Sequence, residues 1–395
     1  FMQLPGPAYR EYDFILAGGG MAGLSFAYYL SQSSLSNQRI LIVDRGIRRE
    51  QTFCYWSNEP SEFDFLAEKS WDSLYFHSAR PSSLELSIAP YSYRKINAAD
   101  WFSHIESELS KHPSIHYLKA DIQSIGFQGE GSTLVTSEGS FFASKKIIDS
   151  FSPFPCELEN PKHLKQHFLG WEVECNFNNF QTDSAHLFDF RVAFGNECEF
   201  MYVLPTTPRK ALFEYTFFSG TLREPEFYRD KIKSYLFAYY GLTEDDYLIK
   251  EEESGIIPMR NNPNLSENLY QKHLKIGTSG GFVKSTTGYS FYRTQKFCRD
   301  LVATLEKGPS AQLVIPFKPW KIWLDEVFLQ VLIDQKIAGS KVFESLFYNN
   351  KPALLLKFLQ EETSWKEDLR LMWSVPTFPF VRAALKTIYR SKIKS

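Results

Sequence analysis

Residues 12–27 read YDFILAGGGMAGLSFA, and this stretch restricts the possible folds more than any other in the chain. The apolar run Phe14 to Ala17 suits a buried parallel strand. It breaks into Gly18, Gly19, Gly20 and Gly23, and Leu24 to Ala27 then suit a helix. G-x-G-x-x-G acquires meaning in that context, between a strand and a helix. Gly18 permits the tight turn, Gly20 lets the backbone approach a pyrophosphate, and Gly23 allows close helix–strand packing, with Ala22 on the same turn. The helix start offers free N–H groups and the positive end of its dipole to phosphates. A second strand, Arg39 to Val43, ends in Asp44, 21 residues beyond Gly23. An acid there fits an adenosine ribose 2′-hydroxyl and disfavours a 2′-phosphate, so a dinucleotide site is expected.

The motif alone does not separate FAD from NAD, although its place near the start of the chain favours FAD. A second passage adds weight. Lys275-Ile276-Gly277 runs into Thr278-Ser279-Gly280-Gly281-Phe282, then Thr286-Thr287-Gly288-Tyr289-Ser290 and a helix. Backbone N–H groups of such a loop suit a ribityl chain and the polar edge of a flavin, with Gly277, Gly280, Gly281, Thr287 and Gly288 closest. The alternative is a Gly/Ser/Thr surface loop.

Five passages, in order, resemble the flavin-dependent lycopene cyclases of carotenoid biosynthesis. After the N-terminal glycines, Gln51-Thr52-Phe53-Cys54-Tyr55-Trp56 resembles D-R-T-W-C-F-W. Leu212 to Thr216 (LFEYT) resembles the family's acid-x-Thr strand, Glu253 to Met259 (ESGIIPM) resembles E-x-G-x-I-P-M, and Gly277 to Ser290 resembles its last glycine loop. The chain departs from the pattern at Glu50-Gln51 in place of Asp-Arg, at Phe53 in place of Trp, and at Lys284-Ser285 where many relatives have His-Pro. Thr278 stands where flavin hydroxylases usually carry Asp. These changes leave the fold reading intact and the exact product open.

The expected architecture is α/β: a Rossmann-type FAD-binding domain like that of flavin hydroxylases, from 1–152 and 259–310. A mixed β-sheet substrate domain is inserted at 153–258, and a helical C-terminal region, 311–395, closes the cavity. Strands are expected at Ile115–Leu118 and Lys146–Asp149 in the nucleotide layer. A hairpin is expected around Glu138-Gly139, and a turn over Pro205 to Pro208.

The resemblance implies redox-neutral, acid-catalysed ring closure of an acyclic carotenoid beside reduced FAD, with NAD(P)H as external reductant. Glu214 is the expected acid–base residue, because its neighbours Phe213 and Tyr215 would raise its pKa; the plain alternative is a solvent-facing strand glutamate. Glu253 precedes an expected Ile256-Ile257-Pro258-Met259 turn near the flavin or polyene, although Glu251 to Glu253 also read as surface charge. Phe358 to Thr363 (FLQEET) is a closer literal match to the acid motif but lies in the wrong place, so Glu361 and Glu362 are expected on a solvated face or as a helix-end pair. Tyr289 and Trp56 face a cation or simply fill the core. Residues 372–394 combine Trp373, Phe378, Phe380, Val381, Leu385 and Ile388 with Lys386, Arg390, Lys392 and Lys394, which fits a helix lying on a membrane surface or one closing the core with a basic tail. The rival functions are a flavin hydroxylase or halogenase on the same fold, and a carotenoid-binding flavoprotein without catalysis.

Composition narrows the partners. A net charge of −2 gives no basic face for nucleic acid. The 35 Phe, 21 Tyr and 8 Trp suit an apolar tunnel. Cys54, Cys156, Cys175, Cys198 and Cys298 are scattered without C-x-x-C, and His77, His104 and His116 lack ligand spacing, so neither disulfide nor metal is expected. With no signal peptide or 18-residue apolar run, the expectation is a cytoplasmic, peripherally membrane-associated protein.

Overall fold

Five parallel strands form the centre of the first layer. The computed structural model describes residues 4–46, 51–80, 82–128, 131–151, 163–193, 195–259, 272–308 and 318–394. The strand Glu11–Ala17 pairs with Ile40–Asp44 on one side and with the second half of Gly139–Asp149 on the other; Ile115–Lys119 lies beyond Ile40–Asp44. Helices cover one face of this layer, against Phe14, Leu16, Ile40 and Ile42, while Leu134, Phe141 and Ile125 pack with Ile15, Leu41 and Val43 on the other, so its strands read as near-continuous apolar runs. Gly131–Thr136 and Gly139–Asp149 form the expected hairpin, with Ile122–Gln128 on its outer edge. The short strand His273–Lys275 runs parallel to the end of Gly139–Asp149. The second glycine loop therefore leaves the sheet beside the first, at the carboxyl ends of the strands, where such sheets bind ligands.

The second layer is a seven-stranded sheet. In spatial order its strands are Tyr247–Pro258, Lys165–Cys175, Lys210–Ser219, Cys198–Thr207, Ala185–Asp189, Ser73–His77 and Ser83–Ser87. The last two correct the expectation that 1–152 belongs wholly to the nucleotide layer: Leu74, Phe76 and Leu86 are buried in one core with Phe188 and Phe200. A small sheet of Thr52–Ser57, Ser92–Asn97 and Ala67–Trp71 was not anticipated either. The turn expected from Pro205 falls later, because the strand continues through Pro205 to Thr207. The turn expected after Glu253 is instead continuous strand to Pro258.

The far face of this sheet packs Trp171, Phe213 and Tyr215 against Tyr228, Ile232 and Tyr235 of the helix Pro225–Tyr240. On the near face lie the C-terminal helices Pro319–Asp334, Gly339–Asn349, Pro352–Leu359, Trp365–Ser374 and Thr377–Lys394. Two of them start on proline, whose missing N–H costs nothing in a first turn. A capping box between Ser364 and Glu367 starts a third. Phe343, Phe347 and Leu356 anchor the group in the core that holds Phe188 and Phe200.

Glu361 is the largest departure from the sequence reading. It is buried, not solvated: its carboxylate meets Lys284 Nζ at 2.9 Å and Arg293 Nη2 at 2.5 Å, while Lys284 also donates to Asp325 at 2.6 and 2.7 Å. Burial alone would push the Glu361 carboxyl up, but the two cations beside it hold it near 2. Glu362 does sit at the surface, paired with Lys296 at 3.1 Å. The Lys284–Ser285 departure from the family pattern is thus the root of a buried charge cluster that fastens the second glycine loop to the C-terminal helices.

Candidate functional site

One row of residues crosses four strands of the second sheet. Gly170 pairs with Glu214 on one side and with Glu253 on the other, and Glu214 stands opposite Tyr202. Paired residues project from the same face, so both carboxyls and the phenol enter the space between the two layers. Gly170 keeps the gap between the acids open. A Cβ there would lie 3.3 Å from Glu253 Cγ and 3.4 Å from Glu214 Cβ and Cγ. Nothing in the local sequence marks this glycine; only the three-strand register reveals it.

The space they enter is a cavity of about 410 Å³. Phe168, Leu212, Glu214, Glu253 and Ile257 form one wall, and Gly20, Ala22, Gly277, Thr287 and Gly288 form the opposite one. Burial, followed by the charge of Glu253, raises the Glu214 carboxyl to about 8, against a hydrogen bond from Thr216 Oγ1 of 2.7 Å. Burial likewise lifts Glu253 to about 7, although a hydrogen bond from Thr52 and the Lys95 ammonium oppose it. Tyr289 lines the cavity, with its hydroxyl 2.9 Å from that of Tyr93 and hydrogen-bonded to Tyr202. Trp56 packs behind it, edge to face at 4.7 Å, and donates its indole N–H to the Leu356 carbonyl. Cys54 also lines the cavity, but burial pushes its thiol up to about 12, so it is an inert group there.

The first glycine turn has a geometry suited to a phosphate. Gly18 has φ +106°, and a Cβ on it would lie 2.6 Å from Ser150 Oγ; one on Gly23 would lie 2.3 Å from the Gly18 carbonyl oxygen. Gly20 instead faces open space, with no atom of the described residues within 4 Å of where its Cβ would be, and caps the helix Met21–Ser31 with no acid in its first turn. Asp44 accepts the Gly19 and Gly46 N–H groups at 2.9 and 2.7 Å, which clamps the turn, and it stands outside the residues lining the cavity. Gly277 and Gly288 line the cavity, while Gly280 and Gly281 turn within the loop.

Three buried polar atoms of lining residues, Gln166 Oε1, Thr287 Oγ1 and Thr294 Oγ1, have no partner among the described residues. Buried polar atoms are seldom left that way, so this wall has hydrogen-bonding capacity for a polar cofactor. Together with the open Gly20 turn and the helix start, it fits FAD.

A family model described as "Lycopene cyclase protein" matches residues 13–385. The chain belongs to the lycopene cyclase family. No curated protein matches it. Among solved structures it resembles a flavoprotein/dehydrogenase from Cytophaga hutchinsonii, with TM-score 0.61, 11% identity, and coverage of 96% of this chain and 100% of that one. A geranylgeranyl bacteriochlorophyll reductase-like protein from Thermoplasma acidophilum gives TM-score 0.56 at 11% identity, covering 96% of both chains. The halogenase PltM, solved with phloroglucinol and FAD, gives TM-score 0.56 at 14% identity, covering 89% of this chain and 82% of that one. At these identities the likeness establishes the fold: a Rossmann-type flavoprotein layer carrying a second sheet.

In this member of the lycopene cyclase family, Gln51 and Thr278, two of the departures from the motifs, line the cavity. Glu50 and Cys156 lie outside the described residues. His77, read as isolated, is hydrogen-bonded to His186 at 2.9 Å beside Asp189, whose carboxylate is held by Arg191 and Tyr235. Burial lowers both imidazoles to about 4, so they are neutral at pH 7.

The raised acids carry a consequence for stability. The unfolded chain loses these protons near the ordinary carboxylate value, while the folded pair holds them until about 7 and about 8. Their contribution is therefore complete below the ordinary value and is lost as pH rises through that window. Glu214→Gln should unfold at the wild-type temperature near pH ~4 and at a higher temperature than wild type near pH ~8.5. Parallel pH profiles in a thermal melt would rule out the raised pair.

Proposed function

We propose that the protein is an FAD-dependent lycopene β-cyclase. The observation that carries this reading is the Glu253–Gly170–Glu214 row: two acids with raised pKa values face an aromatic-lined cavity whose other wall is built from the two glycine loops. The chemistry requires one proton to be given and one taken back. The pair donates a proton to a terminal double bond of the acyclic carotenoid, a ring bond closes, and the resulting cation loses a ring proton to the pair. Atoms and electrons balance without net redox. Glu214, the more strongly raised of the two, is the donor, and Glu253 is the nearby base. The rings of Tyr202 and Tyr289 shelter the cation from water. Reduced FAD, when bound, supplies an electron-rich ring system beside the cation, and NAD(P)H would serve only to reduce it. Gly18, Gly20, Ala22 and Gly23, with Asp44 behind them, would hold its pyrophosphate and adenosine side. Gly277, Thr287 and Gly288, with Gly280 and Gly281 shaping their loop, would hold the flavin side.

A hydrocarbon substrate resides in a bilayer, and the last two helices offer a face for one. Trp373 is 79%, Phe378 78% and Leu385 64% exposed, whereas Ala383 and Phe380 pack inward with Val327 and Trp323. Among the described residues no helix is long and apolar enough to cross a membrane. Lys386 and Arg390 do not follow the membrane-surface alternative of the sequence pattern. They turn back to Asp334 and Gln330 at 2.6 Å. Peripheral association by the exposed rings therefore accompanies this reading. The double variant Trp373→Ser/Phe378→Ser should float less with phosphatidylcholine vesicles than wild type. Equal flotation would place the contact elsewhere.

Gly20→Val should fill the open space at the turn and abolish flavin binding, read as loss of flavin absorbance after gel filtration. Retention of full absorbance would refute the cofactor assignment.

Glu214→Gln should remove ring formation in lycopene-accumulating cells, by pigment chromatography, while flavin remains bound. Loss of a general acid costs about 10²–10⁴-fold. Glu362→Gln, at the surface, is the proper control. Glu361→Gln is not one, because that residue belongs to the buried charge cluster. Near-normal cyclisation by Glu214→Gln would move the acid elsewhere, and product formation coupled to oxygen uptake would favour a hydroxylase.

A further inference from the structure

The face that the strand Lys165–Cys175 turns toward the two acids reads Gln166, Phe168, Gly170, Glu172. Gln166 reaches the second glycine loop, where a Cβ on Gly288 would lie 2.3 Å from its Oε1. Glu172, at the other end, is held by Lys95 Nζ at 3.1 Å and Lys210 Nζ at 2.7 Å. Gly170 stands between the acids. Phe168 is therefore the apolar side chain that this row offers beside them. It is diagonal to both Glu214 and Glu253 and lines their cavity.

Gly255 fixes where the Phe168 ring lies. It is the partner of Phe168 on the strand Tyr247–Pro258. A Cβ on Gly255 would lie 2.6 Å from Phe168 Cζ and 2.7 Å from Cε1, and its three nearest atoms all belong to that ring. The tip of the ring thus sits directly over the glycine. On its other side Phe168 pairs with Thr216, which is buried and donates its hydroxyl to Glu214 at 2.7 Å. With the ring drawn over Gly255, the space in front of Glu214 stays open to the cavity.

We propose that Phe168 determines specificity for the reacting end of the substrate. Its ring, seated over Gly255, is the wall against which the terminal isopropylidene group lies beside Glu214. The inference rests on the function proposed above and adds the residue that limits the size of the end group. Gly255 acts through that ring. Its backbone is ordinary extended strand, so an alanine there meets only the ring, which would be lifted toward the acids. A ring over a cross-strand glycine also stabilises a sheet, so the test reads a ratio that a loss of folded protein does not change.

The full-length protein with reduced FAD is given lycopene, or a lycopene homologue with ethyl in place of one terminal methyl at each end, in phosphatidylcholine liposomes. Comparing kcat/KM for the two substrates within one preparation cancels the fraction of active enzyme. Wild type should favour lycopene. Phe168→Ala should lower that preference by about tenfold or more, which is the discrimination that one methylene in an apolar pocket carries. Phe168→Leu, which keeps an apolar side chain, should fall between. Gly255→Ala should raise the preference and slow lycopene itself. In Phe168→Ala/Gly255→Ala, which has no ring to displace, both values should return to those of Phe168→Ala. A wild type that treats the two substrates alike, an unchanged preference in the Phe168 variants, or a Gly255→Ala defect that persists in the double variant would overturn the assignment. If wild type closes no ring, the cyclisation reading fails by itself. The wall is then tested by affinity for the same two compounds, read from the change in their visible absorption on binding. A preference for lycopene that Phe168→Ala loses sustains the wall, and the same relative affinities in both proteins overturn it.

Discussion

The site depends on two carboxyl groups held close together and away from water. Either acid alone on this sheet would be raised by burial; side by side, each makes ionisation of the other more costly. The register of three strands enforces that closeness, since Glu214 and Glu253 both pair with Gly170 and cannot move apart without breaking a ladder. A side chain at 170 would crowd the methylenes of both acids, so the smallest residue stands between them.

This arrangement accounts for the layering of the molecule. The nucleotide layer presents its two glycine loops at the carboxyl ends of parallel strands, and the second sheet presents its acids across from them. Neither layer forms the cavity alone. The far face of the second sheet is tied to its own helix by Trp171, Phe213 and Tyr215, behind the row that holds the two acids. The small sheet Thr52–Ser57 with its neighbours joins the layers at the edge of the cavity. It sets Thr52 against Glu253 and Tyr93 against Tyr289.

Much of this was legible in the sequence where the signal was local. The strand–glycine–helix passage, the Glu138-Gly139 hairpin and the apolar neighbours of Glu214 act within a few residues of each other, so pattern and structure coincide. The misses share a different cause. Gly170 gains its role from partners 44 and 83 positions away. The strands Ser73–His77 and Ser83–Ser87 join a sheet whose other members lie 78 or more residues further on, because Leu74 and Phe76 find their core there. Glu361 likewise takes its place from a distant partner. A glutamate just past a helix reads as solvated until Lys284, 77 positions earlier, is brought beside it.

That lysine also limits how the chain can be altered. Lys284 sits in the loop that shapes the Thr287–Gly288 wall, and its backbone carbonyl accepts the N–H groups of both residues, at 3.1 and 2.8 Å. Its ammonium neutralises Asp325 and shares Glu361 with Arg293. Replacing Lys284-Ser285 with the His-Pro of many relatives would strand Asp325, and a buried charge without its partner costs about 3–5 kcal/mol. The dipeptide is therefore not a portable motif. Exchanging it between relatives means exchanging its counter-charges on two distant helical segments as well, and a chimera that splits the chain between the loop and those helices inherits the mismatch.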